Sequence, residues 1–312
     1  MFDRARAVSP GKTFFAVLLL SGWALLQLAC GGGSSGGSSA PQNPVSAGQP
    51  TFSHVILVME ENHSYSGVIG ASSMPYFNSL ATQYGLATQY FANTHPSIPN
   101  YLMLTTGQME TSDDGFTGVI SDDNVVRELV KAGKTWKAYA ESLPSPDSLG
   151  AGSSPYVRSH NPFTYLSDVQ NSSSQTANIV PFTQFATDLA NDALPQYSFI
   201  VPNLNDDAHD GTLAEADAWL QTNIAPLIAS SAFQSSGLLI ITFDEGDAAD
   251  VNHGGGQVAT LIISSSAKKG FQSTTLYQHQ STLRLILAGS GVTTFPGMAG
   301  TAPDMTEFFT GH

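Results

Sequence analysis

The chain has 312 residues, 41% of them hydrophobic, with 25 acidic side chains against 11 Lys and Arg and a formal net charge of -14. That balance excludes a nucleic-acid partner, which requires a basic surface. The single cysteine, Cys30, excludes internal disulfides and cysteine-based metal sites.

At the N-terminus, Arg4, Arg6 and Lys12 precede an apolar run from Phe14 to Ala29. This is the charge-then-apolar order of a secretory signal, and the run is too short for a comfortable membrane span. It ends in Leu28-Ala29-Cys30, followed by the Gly/Ser tract 31–39, which reads as a flexible tether. The segment resembles a bacterial lipoprotein signal, whose cysteine is acylated, although Gln27 stands where a leucine-like residue is usual. The other reading is simple secretion. The expected organisation is a signal peptide over 1–30, a Gly/Ser-rich tether over 31–50 and one large domain over 51–312. The expected location is periplasmic or cell-surface as a lipoprotein, otherwise secreted, with membrane contact only through a lipid on Cys30.

Within the domain, four short apolar runs with little alternation read as strands covered on both faces: Ser53–Met59, Tyr197–Val201, Gly237–Phe243 and Gln257–Ser264. Thr212-Leu213-Ala214-Glu215 is a capping box opening a helix through Ile224, and Asp122–Ala132 is a second helical stretch, with Val125, Val126, Leu129 and Val130 on one side. Ser142–Ser174, rich in Ser, Pro, Gly and Asn, reads as long loops. Alternating strands and helices predict an α/β fold, a mostly parallel central sheet with helices on both faces. Sites in such folds lie beyond the carboxyl ends of the strands.

Polar residues cluster at those ends. Glu61-Asn62 and Asp244-Glu245 would converge as three carboxylates and an amide oxygen, an all-oxygen set that suits a divalent Ca, Mg or Mn ion better than Zn. Such an ion would also neutralise the repulsion between an acidic chain and an anionic substrate. Each carboxylate alone reads equally well as a solvated loop acid. Ser97 lies between Pro96 and Pro99 at the start of a helical stretch, where dipole and free N–H groups favour an alkoxide and a phosphate oxygen. Taken alone it is also a plain N-cap. Asp207, His209 and Asp210 crowd the turn before the capped helix, and His253 sits on the glycine loop 252–256. His209 and His253 are candidate proton donors, with Asn100, His160 and His279 further polar candidates for holding substrate. Gly32-Gly33-Ser34-Ser35-Gly36 mimics an esterase nucleophile elbow without its strand, and Gly133-Lys134-Thr135 ends like a P-loop without its first glycine, so neither carries weight.

The stretches 58–65, 95–101, 135–141, 160–163, 202–210, 242–246 and the glycine loop together resemble the bacterial phosphoesterase family of acid phosphatases and phosphatidylcholine-type phospholipases C, itself similar to the alkaline phosphatase superfamily. The resemblance implies a phosphoric ester hydrolase with an alkaline-phosphatase-like fold. It implies metal ligands at Glu61, Asn62, Asp244 and Glu245, and a nucleophile at Ser97 that is phosphorylated and then hydrolysed. Asp244-Glu245 replaces the Asp-His of two-zinc members, which points to a single metal. Glu61-Asn62-His63-Ser64-Tyr65-Ser66 departs from the phospholipase C pattern and favours the acid phosphatase branch acting on monoesters. A phospholipase C or other phosphodiesterase is the enzymatic alternative, and a surface lipoprotein that only binds phosphorylated ligands is the non-enzymatic one. The partner in every case is a small phosphate ester or a phospholipid head group.

Overall fold

Ten strands carry the architecture of the computed structural model, which describes residues 41–310. They are β1 (His54–Glu60), β2 (Gly85–Ala87), β3 (Tyr90–Phe91), β4 (Trp136–Ala140), β5 (Ile179–Pro181), β6 (Tyr197–Val201), β7 (Gly237–Phe243), β8 (Thr260–Ile263), β9 (Gln272–Ser273) and β10 (Tyr277–Gln278). Eight form one sheet in the order β5-β4-β6-β1-β7-β8-β2-β9, and β3 pairs with β10 in a separate two-stranded ribbon. The run from β5 to β7 is parallel throughout, and β8 is antiparallel to both of its neighbours. The predicted sheet is therefore present, with one reversed strand.

β1 lies at the centre because its sequence, HVILVME, is apolar on both faces, and all but its first residue are buried. Its register pairs Leu57 with Phe199 on one side and Ile240 on the other, which sets Glu60 opposite Phe243. Side chains alternate faces along a strand, and the neighbouring helices obey this. The helix Ser97–Thr106 reaches the Leu57 face, where Tyr101 meets Phe199 with ring centroids 6.3 Å apart. The helix Pro75–Gln83 covers the opposite face, with Phe77 6.0 Å from Phe243.

Helix Pro75–Gln83 has no side-chain cap of its own. Its first amides, Tyr76 N–H and Phe77 N–H, donate instead to the two carboxylate oxygens of Asp217 at 2.9 and 2.8 Å. Asp217 belongs to the helix Leu213–Ala229, which carries the predicted capping box between Thr212 and Glu215. On the other face, the helix His279–Gly289 is buried along its whole length beside the equally buried Ser97–Thr106.

Four expectations are modified. The strand anticipated over 257–264 spans only Thr260–Ile263, because Val258 N–H is used by Tyr90 O and Gln257 bridges Phe91 in the loop ahead of it. The helix anticipated over 122–132 spans Val125–Lys131, and Val130 is turned to solvent while Val125, Val126 and Leu129 are buried. The 142–174 stretch contains three single-turn helices, at Arg158–His160, Pro162–Tyr165 and Ser167–Gln170, and the start of a fourth at Ser173–Thr176. Residues 42–46, read as tether, are fastened to the body: Arg284 Nη2 donates to the carbonyls of Asn43 and Pro44 at 3.0 and 2.6 Å, and Gln42 bonds Phe295. The anticipated signal segment and Cys30 lie outside the described residues.

Candidate active site

The parallel strands bring their carboxyl ends to one edge, and adjacent ends carry the sequence's acidic pairs. Asp244 N–H donates to Glu60 O at 3.0 Å, so β1 and β7 run out side by side into Glu61 and Asp244. Asn62 then takes φ = 55°, a left-handed conformation that asparagine tolerates better than most residues, and its N–H donates to Asp244 Oδ1 at 3.1 Å. From β6 the chain reaches Asp207, whose carbonyl accepts from Glu61 N–H at 2.8 Å. Ala208, between Asp207 and His209, is held at φ = 74°, a strained conformation for alanine at a turn that aims two polar side chains.

Glu61 is the hub. Its Oε2 accepts from Ser97 Oγ at 3.3 Å, and its Oε1 accepts from Tyr101 OH and lies 3.3 Å from His160 Nδ1. His160 Nδ1 also stands 3.6 Å from Asp207 Oδ2, and its ring stacks on Tyr101 at 5.1 Å and 11°. His209 is held by Asp210, with Nδ1 2.9 Å from Oδ1, and its N–H donates to Asp207 Oδ1 at 2.8 Å. A second pair flanks the nucleophile: His95 Nδ1 lies 3.1 Å from Glu245 Oε2, while His95 Nε2 donates to the Asp250 carbonyl at 2.9 Å.

Electrostatics follow from burying so many acids together. Burial pushes Glu61 well above the ordinary carboxylate range, the charges of Asp244 and Asp207 add to the rise, and the Tyr101 hydrogen bond opposes it. Burial raises Asp207 to about 7, against the opposing bond from His209 N–H. Glu245 rises to about 8 through burial and the charge of Asp244, with His95 opposing. Asp244 is itself raised, chiefly by burial. Burial pulls His160 down to about 4 although the charge of Asp244 acts the other way. Asp207 Oδ2 and Asp244 Oδ2 are buried without a hydrogen-bond partner.

That arrangement fits a cation: desolvated carboxylates with orphaned oxygens repel one another unless protonated or bridged by positive charge. Glu61, His160 and His209 offer ligand atoms that all lie within 4.8 Å of one another. The set mixes nitrogen with oxygen, so the preference for hard ions drawn from an all-oxygen set no longer holds. It also moves His209 from proton donor to candidate ligand.

Residues 71–293 match the phosphoesterase family. The chain belongs to that family. Among curated relatives, the phosphatidylinositol-3-phosphatase of Mycobacterium tuberculosis is 36% identical over 83% of this chain and 84% of its own length. The acid phosphatase of Aspergillus fumigatus is 32% identical over 83% of this chain, which spans 60% of that longer protein. Among solved structures, a Vibrio parahaemolyticus protein of the alkaline phosphatase superfamily superimposes with a TM-score of 0.59 at 14% identity, covering 81% of this chain and 70% of the other. The phosphonate monoester hydrolase of Silicibacter pomeroyi gives 0.54 at 13%, over 83% and 76%. These structures share the fold, which is alkaline-phosphatase-like, and this phosphoesterase is a hydrolase of phosphoric esters.

Against the sequence reading, Ser97, Glu61, Asp244, Glu245, Asp207, His160 and His209 of the phosphoesterase come together around one centre. Asn62 joins it through its backbone, and Asp210 through His209. Three expected residues do other work. Asn100, read as a substrate ligand, accepts from Asn93 N–H and Thr94 N–H and donates to the carbonyls of Thr94 and Pro96, so it fastens the loop in front of Ser97. His279 is fully buried; Nε2 donates to the Asp244 carbonyl at 2.6 Å and Nδ1 accepts from Tyr90 OH at 3.1 Å, which leaves nothing for a phosphate. His253 is exposed and lies on the Phe91 ring at 4.2 Å. Its loop is glycine-rich for packing: a Cβ on Gly254 or Gly255 would come 2.0 Å from Asn93 O or 2.3 Å from Thr94 O.

Three residues were assigned no role: His95, Tyr101 and Asp114. His95 stands two residues before Ser97 in the same motif and pairs with Glu245. Tyr101 sits four residues after Ser97 and therefore on the same helix face, a signal available within the motif itself. Asp114, whose Oδ1 accepts from Ile98 N–H at 3.2 Å, lies in an irregular loop that carries no such signal.

Proposed function

We propose that this phosphoesterase is a metal-dependent phosphatase of monoesters that works through a phosphoserine at Ser97. The observation that carries the reading is the seat of Ser97: first residue of a ten-residue buried helix, hydroxyl on Glu61, among carboxylates that lack counter-charge. Glu61, with Asp244 beside it, and His160 and His209 would hold a divalent cation, which when bound supplies Lewis-acid stabilisation of charge on the phosphoryl group.

The chain's own residues account for the rest. Ser97 Oγ–H already donates to Glu61 Oε2, so its proton has a path away as Oγ attacks phosphorus and the P–O bond to the alcohol breaks. The departing oxygen takes a proton from the His95–Glu245 pair, whose Nδ1 and Oε2 stand 3.1 Å apart beside the nucleophile. Water then attacks the phosphoserine and the same pair receives its proton; the P–Oγ bond breaks, Ser97 Oγ regains its proton from Glu61, and inorganic phosphate leaves. The departure of 61–66 from the phospholipase C pattern supports the monoester. The charge-then-apolar order of the first 30 residues supports an exported protein, tethered by a lipid on Cys30.

The test compares p-nitrophenyl phosphate with bis-p-nitrophenyl phosphate and p-nitrophenylphosphorylcholine, before and after chelation and metal restoration. The monoester should be preferred, chelation should silence it, and Ser97→Ala should lower kcat by at least about 1000-fold without changing Tm. Preference for either diester moves the protein to the phosphodiesterase reading, and substantial turnover by Ser97→Ala removes the nucleophile.

A further inference from the structure

Beside the Ser97 centre lies a pocket of about 240 Å³, whose walls include Asp114, Phe116, Thr117, Arg158, Ser159 and Tyr165. It is tied to the nucleophile at two points. Asp114 Oδ1 accepts from the N–H of Ile98, the residue after Ser97, and Ser159 precedes His160, which lies against Glu61. None of the clustered carboxylates around Glu61 lines it, so it is placed to receive what the phosphate is attached to.

The size is that of a substituted ring: a cavity of roughly 150 Å³ holds one benzene. The walls are specific. The Phe116 and Tyr165 rings stand 5.7 Å apart at 34°, and the Arg158 guanidinium lies 4.1 Å over the Tyr165 ring. Arg158 Nε and Nη2 are fixed on Thr164 at 3.2 and 3.0 Å, which leaves Nη1 without a protein partner among the described residues. Asp114 uses Oδ1 on Ile98 and keeps Oδ2. The pocket thus presents an apolar face, a charged donor and a charged acceptor.

A second phosphate on the substrate would meet Asp114 as well as Arg158. A bare hydrocarbon ring would fill the space but cover the half-buried Arg158 guanidinium without pairing it. Hydroxyl groups both donate and accept, and the C–H face of a saturated ring packs on aromatic walls. We propose that this pocket binds the alcohol half of the substrate and that this alcohol is a hydroxylated six-membered ring, so the enzyme acts on sugar-like phosphate monoesters. The proposal rests on the phosphatase reading of Ser97.

The test measures kcat/KM for glucose 6-phosphate, phenyl phosphate and ethyl phosphate: a hydroxylated ring, a bare ring and no ring. Arg158→Gln should lower the value for glucose 6-phosphate by at least about 10-fold, the worth of one charged hydrogen bond, and leave the other two within about 2-fold. Thr117→Trp, at an exposed position that tolerates a large side chain, should fill the pocket and depress both ring esters while sparing ethyl phosphate. A uniform loss across all three esters in Arg158→Gln, or unimpaired ring esters in Thr117→Trp, overturns the assignment while the phosphatase reading stands. Wild-type protein inert on all three esters overturns the phosphatase reading itself.

Discussion

Tyr101 joins two roles in one side chain: its hydroxyl donates to Glu61 while its ring supports the His160 imidazole. Outer contacts of this kind orient ligands and commonly govern metal affinity by 10–100-fold. Tyr101→Phe keeps the ring and the packing but removes the donor. Calorimetric titration of Mn²⁺ or Zn²⁺ into chelated protein should show affinity lower by about 10-fold or more, with kcat at saturating metal changed less. Unaltered affinity would mean that Glu61 is positioned without Tyr101. Ser97, Glu61 and Asp244 were legible in the sequence because each directly follows a signal that localises it, a proline-bounded helix start or the end of an apolar strand. Asn100 and His279 were misread for a common reason. A polar residue's duty depends on who bonds it: Asn100 is taken up by the loop just ahead of it, at Asn93, Thr94 and Pro96, and His279 by Tyr90 and Asp244, which only the fold brings near.

Helices on the far face of the sheet hold one another by a device that spans elements. Asp217 gives both carboxylate oxygens to the leading amides of helix Pro75–Gln83, where charge-assisted bonds and the helix dipole act together. Asp217→Ala leaves the buried Phe77 donor and the half-buried Tyr76 donor unpaired, and should cost about 3 kcal/mol in urea unfolding with little change in activity per folded molecule. A loss below about 1 kcal/mol would show that water replaces the carboxylate. The capping box on the partner helix was visible because it is written within four residues; this cap was not, because donor and acceptor are 140 residues apart. The same limit separates the strands. β1, β6 and β7 are apolar runs long enough to be recognised. β2, β3, β9 and β10 are two or three residues each, too short to carry a period, and the alternation of β4 is interrupted by Lys137, whose ammonium is taken by Asp188 at 2.6 Å.

Taken as a whole, the molecule concentrates unfavourable charge at one sheet edge, and its stability should respond to pH accordingly. Asp207 and Glu245 have folded values of about 7 and 8, above the ordinary 3.8 and 4.5, so their ionisation penalises the folded state. Without metal that penalty is absent below about pH 4, grows as pH rises, and is complete above about pH 8. A bound cation reverses it by favouring the ionised forms. Chelation should therefore lower Tm markedly at pH 8 and little at pH 5, as read by differential scanning fluorimetry; equal shifts at both values would contradict a cation among these acids. Asp188 has the opposite sense: burial works to raise it, but hydrogen bonds from Lys137, Tyr139 and Gln184 prevail and hold it below 3.8, so its contribution is kept at neutral pH and lost in strong acid. The margins of the sheet have a different bearing. It stops at β5, three residues closing on Pro181, and at β9, only two residues long. Neither offers another chain a backbone long enough to extend the sheet, so even when crowded these molecules have little opportunity to zip together into fibres through their flanks.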